Sequence, residues 1–440
     1  MHDDIFMSYR SLLRPHPPSM PHTFDGFRHR SFRLLWTANF FGYISRWMQM
    51  TLLVWFVLEI TESPFYVALV GFFGMAPLLL FGAFGGVLAD RLNKLKLLLT
   101  TQVINLLASV GMIALLLSGH AEFWHAYVMV FITGLGWAFD MPARRSILPD
   151  LIGREGLTNA MALDSVGMHS SRMLGPTVAG ALIAVVDVTG GFVAVCACMV
   201  IAIGFLAAVN MPPRREAAIT SANIFKNLAE GFAYVRGNRV ILATIIITVF
   251  MNLLLFPYMQ MVPVISTQTL GVGPGLMGLL MGADGLGAIM GSITIASIGN
   301  MKYHGRVYLY GSLAGLVMCF VFALTQNYNV ALVVLILLGL GTAGFGTMQA
   351  TIVVLSAKPE MRGRALGVIS LAIGAGPIGA LIIGAIADVA SPATAIMILT
   401  SIGFVTVGLV GIAMPQLRGQ IVRSEPERAE TARPALQSTD

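Results

Sequence analysis

The chain has 440 residues, of which 56% are hydrophobic and only 11% are charged, with a formal net charge of +6. Soluble proteins carry roughly 25% charged residues, so this composition excludes an ordinary water-soluble domain and indicates a protein immersed in lipid. The first 33 residues hold five Arg residues and no long apolar stretch, so we expect no secretory signal peptide there.

Twelve apolar runs follow one another along the chain, each about as long as the roughly 20 helical residues that cross a hydrocarbon core. None of them alternates between apolar and polar residues, so they are predicted as helices and not as barrel strands. The predicted fold class is therefore an all-α integral membrane protein. The predicted spans are 34–58, 66–88, 97–117, 126–140, 157–186, 192–209, 240–265, 276–298, 307–324, 330–355, 366–387 and 393–414.

The basic residues predict how these spans are oriented. Every Lys and Arg except Arg46 and Arg172 falls in one of the two tails or in the loops after spans 2, 4, 6, 8 and 10. Because basic loops stay in the cytoplasm, both tails and these loops are predicted to be cytoplasmic. The alternation also supports the count of twelve. The net positive charge is therefore explained by the cytoplasmic loops and tails, and it does not indicate a nucleic-acid partner.

The stretch 211–239 separates two groups of six spans. One helical face of this stretch is apolar, which is typical of an amphipathic helix on a membrane surface, although a plain linker fits nearly as well. That face holds Ile224, Phe225, Leu228, Phe232 and Val235. The predicted regions are a cytoplasmic tail (1–33), a six-helix bundle (34–210), the linker (211–239), a second six-helix bundle (240–414) and a cytoplasmic tail (415–440).

Two segments of the first half recur in the second half. Span 4 holds Gly134-Leu135-Gly136, and span 10 holds Gly339-Leu340-Gly341. Span 5 reads GPTVAGALIAVVDV from Gly175, and span 11 reads GPIGALIIGAIADV from Gly376. Matches in corresponding helices indicate a duplicated six-helix unit, an arrangement that usually places a substrate site between the halves near the membrane centre.

The loop after span 2 reads GVLADRLNKLK from Gly86. It resembles the cytoplasmic signature of the major facilitator superfamily, with Asn93 in place of the usual Gly and Leu95 interrupting the basic pair. The resemblance implies that Asp90 lies at the positive N-terminus of span 11 and that Arg91 pairs with Asp140, which would latch the halves together. The alternative is that the basic residues only set orientation. The implied latch consists of Gly86, Asp90, Arg91, Lys94 and Asp140.

A second resemblance covers spans 4 and 5. The segments DMPARRSILP from Asp140 and LTNAMALDS from Leu157, followed by Gly175-Pro176, resemble the enterobactin-exporter-like branch of this superfamily. The spacing of Gly167, Gly175, Pro176 and Gly180 also resembles the fifth-helix motif of proton-coupled drug antiporters, with Ala179 in place of one Gly. Such a helix would seal one side of the cavity, whereas structural packing is the alternative. The resemblance implies two pseudo-symmetric six-helix bundles.

Ionisable residues inside spans are expensive in lipid and indicate function. Asp284 lies near the middle of span 8 and is the first candidate for a carboxylate that couples transport to a proton gradient. Arg46 and Arg172 would each bind an anionic substrate or pair with Asp284, and Asp164 would pair with Arg172. Packing without proton transfer is the alternative. The candidates for proton coupling are Asp284, Arg46, Arg172 and Asp164.

The resemblance further implies that spans 1, 4, 7 and 10 face the cavity. A few polar groups among Phe and Met side chains suit bulky amphipathic ligands. The candidates for the substrate cavity are Asn39, Trp47, Gln49, Asn252, Tyr258, Gln260 and Gln349.

No sequence typical of ATP hydrolysis, zinc proteolysis or a Ser nucleophile occurs, so we expect neither an enzyme nor a bound cofactor or metal. The predicted function is export of a siderophore-like or drug-like small molecule across the bacterial inner membrane, by proton antiport and alternating access. The alternatives are an importer or facilitator of a metabolite and a non-transporting receptor or scaffold. The expected partners are the small-molecule substrate, protons and the lipid bilayer, without nucleic acid, and the chain is expected to act as a monomer.

Overall fold

The computed structural model describes residues 25–152, 157–211, 224–298 and 301–420. Side chains are described in these ranges except at 25, 26, 83–91, 145, 158 and 224–227. Helices and short turns account for the secondary structure of this part, and it contains no strand. The all-α fold class is therefore confirmed.

The N-terminal half contains six spanning helices. The first four are α1 (Arg30–Thr61), α2 (Pro64–Arg91), α3 (Lys94–Ser118) and α4 (Phe123–Ile152), and a continuous helical element follows at Leu157–Ala207. Its backbone leaves the helical region at Val186 and at Asp187, where φ is +59°. A positive φ is costly for a residue with a side chain and cannot continue a right-handed helix, so this pair marks a break between two helices. The parts before and after it are α5 and α6.

The C-terminal half follows the linker helix α7 (Ile224–Gly237). Its helices are α8 (Arg239–Phe250), α9 (Tyr258–Gln268), α10 (Pro274–Ser297), α11 (His304–Ala323), α12 (Tyr328–Ser356), α13 (Arg362–Ile373), α14 (Gly376–Val389) and α15 (Pro392–Ala413). Two spans are interrupted. A π turn at Met251–Leu255 lies between α8 and α9, and Gly374 and Ala375 lie between α13 and α14. Pro257 follows the π turn and lacks the N–H that would continue the helical bonds. Short 3-10 turns lie at Asp25–Arg28, Pro359–Met361 and Pro415–Arg418.

Ten helical segments of the described part are long and apolar enough to cross a membrane by length and composition. One of them spans both α5 and α6, and α1 is not among them. The 32 residues of α1 extend over roughly 48 Å, which exceeds the hydrocarbon thickness, but its polar side chains lower its hydropathy. Separating α5 from α6 and adding α1 gives the twelve spanning helices that the sequence predicts.

The helices run antiparallel, so their connections lie at two faces of the protein. The "basic face" carries the C-terminal ends of α2, α4, α6, α10 and α12, and the described residues 92–93, 208–211, 301–303 and 357–361 lie there. The "opposite face" carries those at 62–63, 119–122, 186–187, 269–273, 324–327 and 390–391. Each half also has its own apolar core, with Leu52, Met112 and Phe192 in one and Met251, Tyr308 and Phe322 in the other.

The halves meet along two pairs of helices on the side of the opposite face. In the first pair, Gly180 of α5 lies against Gly278 of α10, so closely that a Cβ on either residue would be within 3 Å of the other residue's Cα. In the second pair, Ser63 beside α2 donates a hydrogen bond of 2.7 Å to Asp388 of α14. Gln268 at the end of α9 also donates to the backbone carbonyl of Glu62, at 3.2 Å. These contacts join the two halves on the side of the opposite face.

The same helix faces separate toward the basic face. We call the contact between α5 and α10 the seam; in it, the backbone of Met173 lies against Gly282. On α5, Val166 lies seven residues, or two turns, before Met173, and its exposed fraction is 55%. On α10, Ile293 lies three turns beyond the seam residue Gly282, and its exposed fraction is 64%. A helix that continued to pack would bury these positions. Along this pair the helices therefore pack on the side of the opposite face and separate toward the basic face.

The linker helix α7 packs against the C-terminal half. Val235 is buried, and Gly231 lies against the backbone carbonyl of Arg364 in α13. Glu230 and Arg364 form an ion pair at 2.8 Å, and the Tyr234 hydroxyl accepts a hydrogen bond from the Lys358 backbone. The predicted amphipathic helix thus exists, and part of its apolar face covers protein.

Candidate functional site

An ion pair joins the two halves inside the membrane. The Nη2 atom of Arg172 in α5 binds Oδ2 of Asp284 in α10, and the Tyr258 hydroxyl of α9 donates to the same oxygen at 2.8 Å. The Arg172 guanidinium also lies 3.7 Å from the Met259 sulfur and 5.7 Å from the centre of the Trp47 ring. Residues of two other spans, one from each half, therefore bind this carboxylate of α10.

This carboxylate is buried and only half satisfied. The exposed fraction of Asp284 is 2%, and its Oδ1 atom has no hydrogen-bond partner among the described residues. The Nε atom of Arg172 is likewise buried and without a partner in that part of the chain. Unsatisfied buried polar atoms are costly, which makes this pair unlike an inert structural salt bridge.

Small residues of α10 allow this pair to form. Gly282 and Gly285 flank Asp284, and a Cβ on Gly282 would lie 2.5 Å from the Met173 carbonyl of α5. A Cβ on Gly285 would lie 2.9 Å from the Met173 nitrogen. The backbones of α5 and α10 therefore approach closely, and the Arg172 side chain reaches the carboxylate.

A second buried network lies within the N-terminal half. The Nε atom of Arg144 binds Oδ2 of Asp140 at 2.7 Å, one helical turn away on α4. Thr101 of α3 donates to Oδ1 of Asp140 at 3.0 Å, and Nη1 of Arg144 binds Oδ1 of Asn39 in α1. Asp140 and Arg144 are both buried, so a buried charge pair ties three helices together.

Asp164 of α5 extends this network. Its Oδ1 atom accepts a hydrogen bond of 2.9 Å from Asn39, and the Tyr43 hydroxyl lies 3.5 Å from its Oδ2 atom. The Arg144 guanidinium lies 5.6 Å from the centre of the Tyr43 ring. Arg172 thus pairs with Asp284, and Asp164 lies in the N-terminal network.

Arg46 lies in a small polar cavity between α1, α3 and α4. Its guanidinium stacks 4.4 Å from the centre of the Trp137 ring, and Nη1 lies 3.4 Å from the Thr133 carbonyl. The cavity measures about 20 Å³, enough for one water molecule. Two of its lining atoms, Nε2 of Gln49 and Oδ1 of Asn105, are buried without a partner in the described part. Arg46 therefore faces the interior of its own half and not Asp284.

The implied latch is described only in part. The backbone of α2 is helical through Gly86, Asp90 and Arg91, whose side chains lie outside the described residues. Lys94 binds the Asp150 carboxylate and the Ser146 carbonyl of α4, at 2.7 and 2.8 Å. In this conformation Lys94 and Asp140 therefore make their described contacts within the N-terminal half.

The glycine motif of α5 serves two contacts. Gly167 lies against Trp36, and Gly175 against Trp47, both on α1. Pro176 and Gly180 face α10 instead, where the Pro176 carbonyl lies against Gly278. The motif therefore contributes both to packing within one half and to the closed seam between the halves.

The candidate cavity residues divide into three groups. Trp47 and Tyr258 adjoin the Arg172–Asp284 pair. Gln260 of α9 lies against Gly71 of α2, in the other half of the protein. Asn39 and Gln49 lie inside the N-terminal half.

The last group lies inside the C-terminal half. Gln349 donates to the Thr248 hydroxyl at 2.9 Å, and Asn252 donates to the Thr248 carbonyl at the same distance. Thr248 and the Tyr308 hydroxyl are also 2.9 Å apart. Gln349 and Asn252 are thus tied to their own bundle in this conformation.

Sequence reasoning missed two ionisable residues, Arg144 of the N-terminal network and His169 beside the Arg172–Asp284 pair. Arg144 follows Asp140 by four positions, and this spacing places opposite charges on one helix face. His169 precedes Arg172 by three positions and is the only His deep inside a predicted span. Both signals were present in the sequence.

A family model described as a transmembrane secretion effector, of the major facilitator superfamily, matches residues 22–436. The Staphyloferrin A transporter of Staphylococcus aureus is 24% identical over 81% of this chain and 89% of its own length. The multidrug efflux pump Tap of Mycolicibacterium fortuitum is 25% identical over 84% and 92%. The enterobactin exporter EntS of Salmonella choleraesuis is 22% identical over 87% and 91%.

Among solved structures, a POT family transporter in complex with 5-aminolevulinic acid superposes with a TM-score of 0.71 at 11% identity. The match covers 88% of this chain and 97% of that chain, and it shows a shared fold. The fold and the family match agree with the resemblance found in the sequence. The chain belongs to the transmembrane secretion effector family of the major facilitator superfamily and is a membrane transporter of that fold.

Proposed function

We propose that this protein is a secondary active exporter of a small amphipathic molecule and that protons entering the cell drive it. One observation carries the proposal: the Arg172–Asp284 pair joins the two halves inside the membrane and leaves one carboxylate oxygen without a partner. A buried charge must be neutralised, and either Arg172 or a proton can neutralise Asp284. Competition between the two links proton binding to the position of the halves.

The described conformation fits the stage after a proton has left toward the basic face. Asp284 is then ionised and held by Arg172 and Tyr258, and the halves are in contact on the side of the opposite face. Cargo entering from the basic face would disturb this pair and allow the halves to open at the opposite face. A proton taken up there would replace Arg172 as the neutralising group and permit the return of the empty carrier.

The proposed direction of transport and the proposed class of cargo rest on the proteins that this chain resembles in sequence. Proteins named for efflux or export of siderophores and drugs align over more than four fifths of this chain. Aromatic and sulfur-containing side chains around the ion pair, namely Trp47, Tyr258 and Met259, suit a bulky, partly apolar ligand. We therefore propose a siderophore-like or drug-like cargo.

Topology and assembly complete the proposal. The basic face would be the cytoplasmic face of a bacterial inner membrane, with both tails on that side. The site lies between two halves of one chain, so a monomer would suffice. An importer or facilitator with the same fold would move the same cargo toward the basic face, and a receptor or scaffold would move none.

Transport by the purified full chain in proteoliposomes tests the proposal. Erythromycin, Hoechst 33342 and iron-free enterobactin serve as probes, with an imposed pH gradient. We expect at least one probe to accumulate against its gradient and a protonophore to abolish this accumulation. Asp284→Asn should abolish uphill accumulation and retain exchange of probe across the membrane.

The control is Asp150→Asn, which removes a carboxylate from the exposed pair with Lys94 and should leave uphill transport close to normal. Uphill transport that is unchanged in Asp284→Asn would remove this carboxylate as the coupling group. Uptake toward the basic face under the same gradient would reverse the proposed direction.

A further inference from the structure

His169 occupies a special position among the eight His residues of the chain. In the described part, it alone lies more than two helical turns from both ends of a spanning helix, since His125 and His304 lie at helix starts. An ionisable group at this depth is expensive to keep in lipid. Imidazole is also the side chain that gains and loses a proton most readily near neutral pH.

Its position on α5 places it beside the ion pair. His169 precedes Arg172 by three residues and Met173 by four, and residues at these spacings share one helix face. That face continues through Pro176 and Gly180, which pack on α10. His169 therefore lies one turn from Arg172 in the direction of the basic face.

The surroundings of His169 change along the seam. One turn further toward the basic face, Val166 is 55% exposed, whereas Asp284 on the other side is 2% exposed. His169 itself is half-buried, and its ring makes no hydrogen bond to any residue of the described part. It thus lies between the open part of the seam and a carboxylate that is sealed from water.

Two charged groups face His169. These are Arg172 on its own helix and Asp284 on α10, and both lie within electrostatic range of its ring. Tyr258 of α9 adjoins the same carboxylate through its hydroxyl group. Arg172 and Tyr258 both bind Oδ2, so Oδ1 is the oxygen without a described partner.

We propose that His169 carries the proton between Asp284 and water on the basic-face side of the seam, where α5 and α10 separate. The step is an acid–base exchange: the protonated carboxyl of Asp284 transfers H⁺ to a neutral imidazole nitrogen, which leaves a carboxylate and an imidazolium. The imidazolium then releases H⁺ to water, and Arg172 pairs with the carboxylate. This inference rests on the proposed function, because it requires Asp284 to exchange protons during transport.

The test follows the protonated carboxyl of Asp284 directly and needs no cargo. Infrared difference spectra of the full chain in proteoliposomes are recorded after a rapid rise in pH, and the carboxyl band absent from Asp284→Asn is assigned to Asp284. We expect His169→Gln to slow the loss of this band at least about tenfold, because general acid–base groups contribute roughly 10²–10⁴-fold to proton-transfer rates. Imidazole added to the buffer should restore much of the rate.

His120→Gln is the matched control, since His120 is exposed at the opposite face and should leave the rate unchanged. If His169→Gln does not reach the membrane folded, His169→Asn provides the same test. A band that decays equally fast in the wild type and in the folded His169 variant overturns this inference and leaves the proposed function standing. Spectra without any band that depends on Asp284 overturn the proposed function, and this inference with it.

Discussion

Arg172 and Asp284 are 112 positions apart in the sequence, yet their side chains form an ion pair between the two halves of the protein. The pair lies within the closed seam of α5 and α10, where Gly282 and Gly285 bring the backbones together. Its two members are in different halves, so any motion that separates the halves at this level must break the pair. The chemistry of the carboxylate and the position of the helices are therefore linked.

Removing one member of this pair should cost more stability than removing the charge of both. Arg172→Gln leaves the buried Asp284 carboxylate without its cation, so we expect a loss of about 3–5 kcal/mol in the free energy of unfolding. Arg172→Gln combined with Asp284→Asn has no net buried charge and should recover most of that loss. Thermal unfolding of the purified variants in detergent measures both.

A transport assay separates the contribution of the pair to stability from its contribution to proton coupling. The double variant should remain inactive in uphill transport although it is stable. A double variant that is as unstable as Arg172→Gln would mean that the pair contributes through shape and not through charge.

The closed seam depends on the close approach of Gly180 to Gly278. A Cβ on Gly180 would lie 2.7 Å from the Cα of Gly278, so Gly180→Ala should weaken the closed side by about 1–3 kcal/mol. The reporter is Thr177→Cys, because Thr177 lies against Gly282 in the seam. We expect this Cys to react several-fold faster with a thiol reagent added at the opposite face when Gly180→Ala is also present. The background for this assay replaces the three native Cys residues with Ser.

Gly204→Ala is the matched control for this substitution. An added Cβ at Gly204 in α6 would meet nothing within 4 Å, so the same chemical change should leave the labelling rate unaltered. Equal rates in the two Ala variants would show that the glycine contact does not hold the seam closed.

Local patterns in the sequence predicted the architecture well. Hydrophobic length and the alternation of basic loops predicted twelve helices, because lipid requires each span to be long, apolar and internally hydrogen-bonded. The predicted end of span 5 at Val186 coincides with the break between α5 and α6. The π turn that begins at Met251 has no comparable signal, since an apolar run looks alike whether its backbone is α-helical or not.

The charge pairs were harder to predict, for a physical reason. Asp140 and Arg144 are one turn apart on one helix, so spacing alone would have paired them. Arg172 and Asp284 meet only because α5 and α10 pack together, and no local pattern encodes which helices become neighbours. Arg46 has the same ambiguity, because its depth in the membrane does not say whether it faces Trp137 or Asp284.

Arg144 should not be replaceable by Lys. Its Nε atom binds Asp140 while its Nη1 atom binds Asn39, and an ammonium group cannot hold both positions with the same planar geometry. We expect Arg144→Ala to lower the free energy of unfolding by about 3–5 kcal/mol and Arg144→Lys to recover only part of this. Thermal unfolding measures the difference, and full recovery by Lys would show that charge alone is required.

The docking of α7 on α13 should depend on Gly231 more than on the ion pair beside it. A Cβ on Gly231 would lie 2.9 Å from the Arg364 carbonyl, so Gly231→Leu should displace the helix and expose it to trypsin at Arg236. Glu230 and Arg364 are each 37% exposed, and such pairs contribute about 0–1 kcal/mol, so Glu230→Gln should change little.

The matched control for Gly231→Leu lies on the same helix. At Gly237 an added Cβ would meet nothing within 4 Å, so Gly237→Leu should leave the rate of cleavage near that of the wild type. Limited proteolysis of the full chain in detergent, followed by mass spectrometry, gives the rate at Arg236. If Glu230→Gln releases α7 as readily as Gly231→Leu does, electrostatic attraction and not close packing holds the linker against the C-terminal half.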